Sequence, residues 1–184
     1  DSPLHRACEK KCLFQVRQLV EELKDLNPKN RLGQTPLHVS VNNDALEISK
    51  VYRCRFAGFT WENTFDDLLP KKECINSTGL IKAKAKHDLK DSFGNMPIHI
   101  SSSCGAAACL DVLISAGSCI NAVNFQNETP LYLAAKRDNL LIIKKNLKCK
   151  PLVDVTSLSG LSAKGVAQIS GHKKAVELIQ AYER

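Results

Sequence analysis

The chain has 184 residues, 43% of them hydrophobic and 5% aromatic, with 26 Lys and Arg against 19 Asp and Glu and a formal net charge of +7. There is enough apolar material to build a packed core, which excludes wholesale disorder, and no apolar run reaches the roughly 18 to 20 residues of a membrane-spanning helix. The eight cysteines include no C-x-x-C pair; they read as free thiols acting as small hydrophobes in a reducing compartment, not as zinc ligands.

Taken in chain order, Ser2-Pro3-Leu4-His5 opens a first unit whose second helix is expected from Leu13 to Glu22, with Val16, Leu19 and Val20 on one apolar stripe and Glu21 and Glu22 facing water. The opening phrase returns as Thr35-Pro36-Leu37-His38, Met96-Pro97-Ile98-His99 and Thr129-Pro130-Leu131-Tyr132. Pro3 and Pro36 are 33 residues apart, and so are Pro97 and Pro130. Thr35 and Thr129 are placed to cap helices, and Pro36, Pro97 and Pro130 take the first helical position, where a missing N–H costs nothing. Gly33, Gly94 and Gly160, with Asn127 in the equivalent place, are expected to adopt a left-handed backbone. Between Pro36 and Pro97 the spacing is 61 residues, one period plus 28, whereas two full periods would need 66. An insertion explains this better than a degenerate repeat. The second helix of unit two is therefore placed at Ala45 to Arg55, and the next turn near Lys84.

A period of 33 carrying T-P-L-H resembles the ankyrin family, in which a β-turn and two antiparallel helices recur and stack. Ala116-Gly117-Ser118-Cys119-Ile120-Asn121 is likewise similar to that family's helix-ending phrase. The resemblance implies an all-α solenoid of about five helix-turn-helix repeats over 1–184: about 1–29, 30–55, 84–123, 124–156 and 157–184, with an irregular insertion at about 56–83. Lys145 and Asn146 stand where the family buries two leucines, so the outer helix of unit four is expected to be frayed or shifted. Ser162-Ala163-Lys164-Gly165 replaces the opening phrase in the last unit, as suits a capping repeat. Because the first residues fall inside a repeat phrase, the chain reads as a piece of a longer protein.

No phosphate loop, nucleophile elbow, metalloprotease motif or carboxylate pair occurs. Catalysis, cofactor and metal binding are accordingly not expected. His5, His38 and His99 recur at one repeat position, and the resemblance makes them structural, bonding to neighbouring turns. It also implies protein binding through turn tips and the concave inner-helix face. The tips would carry Arg31, Leu32, Gln34, Ser92, Phe93, Asn95, Phe125, Gln126, Glu128, Leu158 and Leu161. The concave face would carry Asn42, Asn43, Ser103, Lys136, Arg137 and Ile169, and the insertion adds Trp61. Phe93 and Phe125 are the candidate hot spots.

The expected function is a non-catalytic adaptor that binds a protein partner. Two alternatives stand beside it: an array resembling NF-κB inhibitors, or a mimic of a host regulator, that sequesters a transcription factor; and a regulatory module of a larger enzyme. Lys136 to Lys150 holds six positive residues against Asp138, which suits an acidic partner. Nucleic acid is the weaker reading, since acidic residues interleave with basic ones and no stacking platform is present. Cytoplasmic or nuclear residence is expected, and the oligomeric state is open.

Overall fold

The computed structural model describes residues 1–43, 80–81 and 85–183. Helices α1 (Pro3–Glu9) and α2 (Leu13–Glu22) form the first hairpin, and residues 36–43 are helical as α3. Three further hairpins follow: α4 (Pro97–Cys104) with α5 (Ala107–Ser115), α6 (Pro130–Lys136) with α7 (Leu140–Lys148), and α8 (Ala163–Ile169) with α9 (Lys173–Tyr182). No strand occurs among the described residues. Helices α4, α6 and α8 pack in succession as an inner layer, and α5, α7 and α9 as an outer layer. Such an arrangement buries one stripe of each short helix against its own partner and its neighbours, which no isolated helix of this length could do.

Local chemistry fixes the ends of these helices. Pro3, Pro97 and Pro130 occupy the first turn. The hydroxyl of Thr129 accepts from the Tyr132 N–H at 3.2 Å, and that of Ser162 from the Gly165 N–H at 3.2 Å. The Thr35 hydroxyl instead lies 2.8 Å from His38 Nδ1. Left-handed backbone occurs at the four expected positions, with φ of +69° at Gly33, +78° at Gly94, +56° at Asn127 and +75° at Gly160. At Gly94 a second demand is added, because a Cβ there would sit 2.6 Å from the Phe125 backbone nitrogen.

The histidines tie one repeat to the next. Nε2 of His5 donates to the Gln34 carbonyl at 2.9 Å, that of His38 to Asn95 at 2.9 Å, and that of His99 to Ala122 at 3.1 Å. In each ring Nδ1 accepts a backbone N–H, from Ser2, Thr35 and Met96 respectively. A carbonyl can only accept and an amide N–H can only donate, so these bonds define the neutral Nε2–H tautomer. Burial pushes His99 down to about 4 and lowers His38 as well, against the opposing pull of their carbonyl partners. Tyr132 takes the same place in the α6–α7 hairpin, and its hydroxyl meets Ser157 Oγ at 3.4 Å.

Three expectations change. Leu80 and Ile81, assigned by sequence to the insertion, are helical, and Leu80 is fully buried in the common core. Leu80 lies 33 residues before Leu113, which is followed at the same interval by Asn146 and Ile179, and all four are 0% exposed. The repeat pattern therefore resumes before Lys84. The other insertion residues, Trp61 among them, and the proposed helix from Ala45 to Arg55 lie outside the described residues.

Next, α7 is neither frayed nor shifted. It runs as a regular helix through Lys148, with Asn146 in the buried position and neither atom of its carboxamide hydrogen-bonded among the described residues. Lys145 points outward and meets Asp111 of α5 at 2.7 Å. Finally, the reading of every cysteine as a free thiol fails at Cys109, which is disulfide-bonded. Cys12, Cys104, Cys119 and Cys149 do carry free thiols.

Candidate functional site

The turn that precedes each inner helix is built around one polar side chain. Asn30 Oδ1 accepts from the N–H groups of Leu32 and Gln34 at 3.0 and 2.9 Å. Asp91 Oδ1 does the same for Phe93 and Asn95, and Asn124 Oδ1 for Gln126 and Glu128. Ser157 closes the last turn with its hydroxyl on the Leu161 carbonyl at 3.3 Å. Sequence reasoning missed these four residues. Their signal was present, since each stands three positions before the residue with positive φ, where a short polar side chain folds a turn onto itself.

Successive turns are then joined through the backbone. The Ser92 N–H donates to the Leu32 carbonyl at 3.0 Å, Phe125 to Phe93 at 3.2 Å, and Leu158 to Gln126 at 2.9 Å. Lys29 Nζ caps the Lys90 carbonyl, and Lys90 Nζ caps that of Val123. The tips thus form one continuous rigid edge. Along it Leu32, Phe93, Phe125 and Leu158 are 53%, 62%, 61% and 71% exposed. Lys90 Nζ stands 5.8 Å from the centre of the Phe125 ring, so one side of that ring is already occupied by a cation.

The expected tip residues divide into two groups. Arg31, Leu32, Phe93, Phe125, Gln126 and Leu158 are exposed, whereas Gln34 and Asn95 are half-buried. The Gln34 side chain accepts from Asn30, and Asn95 Oδ1 accepts from Asn124. Leu161 packs against the core and is not a free tip.

On the inner-helix surface Lys136, Arg137 and Ile169 are exposed, and Asn42, Asn43 and Ser103 are half-buried. Lys136 is tethered, with Nζ 3.0 Å from Glu128 and 5.8 Å from the Tyr132 ring centre. Asn43 donates to the Cys8 carbonyl at 3.4 Å, and Asn42 accepts from Cys104 Sγ at 3.5 Å. Desolvation raises the Cys104 pKa, with Arg137 opposing. Cys104 is therefore a thiol at neutral pH and a poor nucleophile.

Among the described residues no three His, Cys, Asp or Glu side chains cluster as a metal site would need, and no helix is long and apolar enough to cross a membrane. What the geometry offers is a stiff, apolar, periodic edge beside a polar inner face.

No protein-family model matches the chain. The human transient receptor potential cation channel subfamily A member 1 is 27% identical over 158 residues, covering 78% of this chain and 14% of the channel subunit. NF-kappa-B inhibitor alpha from Sus scrofa is 31% identical over 154 residues, covering 78% of this chain and 40% of the inhibitor. The probable 26S proteasome regulatory subunit p28 of Saccharomyces cerevisiae is 25% identical, covering 72% of this chain and 78% of p28. This chain thus spans less than half the length of the first two. All three are ankyrin-repeat proteins. With the stacked hairpins and the 33-residue period, they show that the chain belongs to the ankyrin-repeat family.

Proposed function

We propose that the array is a non-catalytic adaptor that grips one protein partner along its row of turn tips and the adjoining inner-helix face. The single observation that supports this reading is the row itself. Four large apolar side chains on consecutive turns gain nothing from folding while they stay in water, and each could contribute about 1 to 3 kcal/mol on burial in an interface. The rigid turn network beneath them lowers the entropy cost of binding. Arg31, Gln126 and Arg137 supply the polar rim, while Gln34, Asn42, Asn43 and Asn95 act mainly by holding the surface in shape. The insertion, with Trp61, is proposed as a further contributor to specificity.

Pull-down from a cell extract, followed by measurement of affinity for the captured protein, tests the proposal. Phe93→Glu with Phe125→Glu is expected to abolish recovery while the helical signal is unchanged; full recovery would refute the tip row. A second reading is favoured by the 31% identity to NF-kappa-B inhibitor alpha over 78% of this chain: sequestration of a transcription factor of that kind. Binding of purified NF-κB, competed by the same tip variants, would separate it from the general reading. A place as a regulatory module within a larger protein is the third, suggested by the 14% of the channel subunit that the chain spans.

A further inference from the structure

The outer layer contributes nothing to the tip row, yet it carries a surface that the core does not explain. A groove of about 600 Å3 is lined by Leu141, Lys144, Lys145, Leu147 and Lys148 of α7 and by Tyr182 at the end of α9. Leu141, Lys144 and Lys148 follow the spacing i, i+3, i+7 and share one stripe of α7. The buried positions of α7 are Ile142, Ile143 and Asn146, so this stripe is free of packing duty. Leu141 is 42% exposed and Tyr182 39%, which leaves an apolar floor open to solvent between cations.

The three ammonium groups are not equivalent. Lys145 pairs with Asp111 at 2.7 Å, which spends its charge within the fold. Lys144 and Lys148 are exposed and make no ion pair among the described residues. Cations in the last turn complement the carbonyl end of a helix, which accounts for Lys148 but not for Lys144 or for the aromatic and aliphatic floor beside it.

We propose that this groove is a second docking site, for a short acidic amphipathic peptide segment of a protein partner. Its carboxylates would meet Lys144 and Lys148 while an apolar side chain lies on Leu141 and the Tyr182 ring. Charge complementarity and shape select this occupant. A phosphodiester backbone is held chiefly by neutralising many phosphates, and only two uncommitted cations stand here above a floor that asks for an aliphatic group. With nine residues in α7 at about 1.5 Å of rise each, the site matches roughly two turns of a partner helix lying in it. This site stands apart from the tip row, and either can fail without the other.

The test is fluorescence anisotropy of the full chain with a labelled synthetic peptide of Glu carrying Leu at helical spacing. Saturable binding is expected, weakened at least tenfold by Lys144→Glu with Lys148→Glu, weakened by added salt, and unchanged by Phe93→Glu. Should the charge reversal disturb the helical signal, Lys144→Gln with Lys148→Gln, and separately Leu141→Ser, carry the same expectation at smaller size. Equal binding by the lysine variants, equal binding of an all-Glu peptide, or loss caused by Phe93→Glu would overturn the proposal. Phosphatidylserine vesicles or duplex DNA bound through Lys144 and Lys148 in place of the peptide would overturn it too, by assigning the groove to another class of ligand.

Discussion

The α4–α5 and α6–α7 hairpins occupy the same geometry with different residues at three equivalent positions. Where α5 buries Leu113, α7 buries Asn146 with its carboxamide unpaired among the described residues. Where α4 sends His99 to the next turn's carbonyl, α6 sends the Tyr132 hydroxyl to Ser157. Where Gly94 takes a positive φ under the Phe125 ring, Asn127 takes one with its side chain donating to the Thr156 carbonyl at 2.7 Å. The backbone demand is identical in each pair, so the difference measures how much side-chain chemistry the fold tolerates. It tolerates polar substitution in the α6–α7 hairpin at a cost in stability, because neighbours on both sides keep the short helices in place.

Exchanging residues across the two hairpins should expose that cost. Leu113→Asn removes a buried aliphatic group and buries a second unpaired carboxamide; a loss of about 4 kcal/mol in urea unfolding is expected. A loss below about 1 kcal/mol would mean that the outer layer contributes little to cohesion.

Acid should separate the hairpins next. His99 has its pKa pushed down to about 4, well below the roughly 6.5 of an unfolded histidine. The unfolded chain therefore binds the extra proton first, so stability is complete above about pH 6.5 and falls as pH drops towards 4, by roughly 3 kcal/mol in all. Tyr132 has no such transition, and His99→Tyr should remove most of that pH dependence from thermal melts. An unchanged acid profile would contradict the assignment of His99 as the sensitive bridge.

Smaller effects sharpen the contrast. Gly94→Asn can adopt the required φ, as Asn127 does, but its Cβ would meet the Phe125 ring and backbone; a loss of about 2 kcal/mol is expected, and Asn127→Gly should change stability by only a few tenths. Asn146→Leu should raise stability by about 2 kcal/mol by replacing an unsatisfied buried amide with the residue its neighbours use. If Asn146→Leu destabilised the protein, the carboxamide would have to be satisfied in solution.

Much of this architecture could be read from the residues. The recurring proline and glycine positions fixed the inner helices and turns, because each demands one backbone conformation whatever surrounds it. Asn146 could not be read correctly, since a polar residue at a core position says nothing about whether the helix yields or the amide is buried; the regular neighbours decided it. Leu80 was missed because counting forward from Pro36 hides a period that counting back from Leu113 reveals. For the candidate surface, exposure of Phe93, Phe125 and Leu158 followed from their place at the turns, while the internal bonds of Gln34 and Asn95 depend on contacts between repeats. The groove between α7 and α9 joins residues some 40 positions apart and had no local signal.

The central claim is that the tip row holds the partner. Its most direct measurement is calorimetric affinity for the captured protein with wild type and with Phe93→Glu plus Phe125→Glu, matched for melting temperature. Loss of at least about 4 kcal/mol, or roughly a thousandfold in Kd, is predicted; an affinity within twofold of wild type would contradict the account.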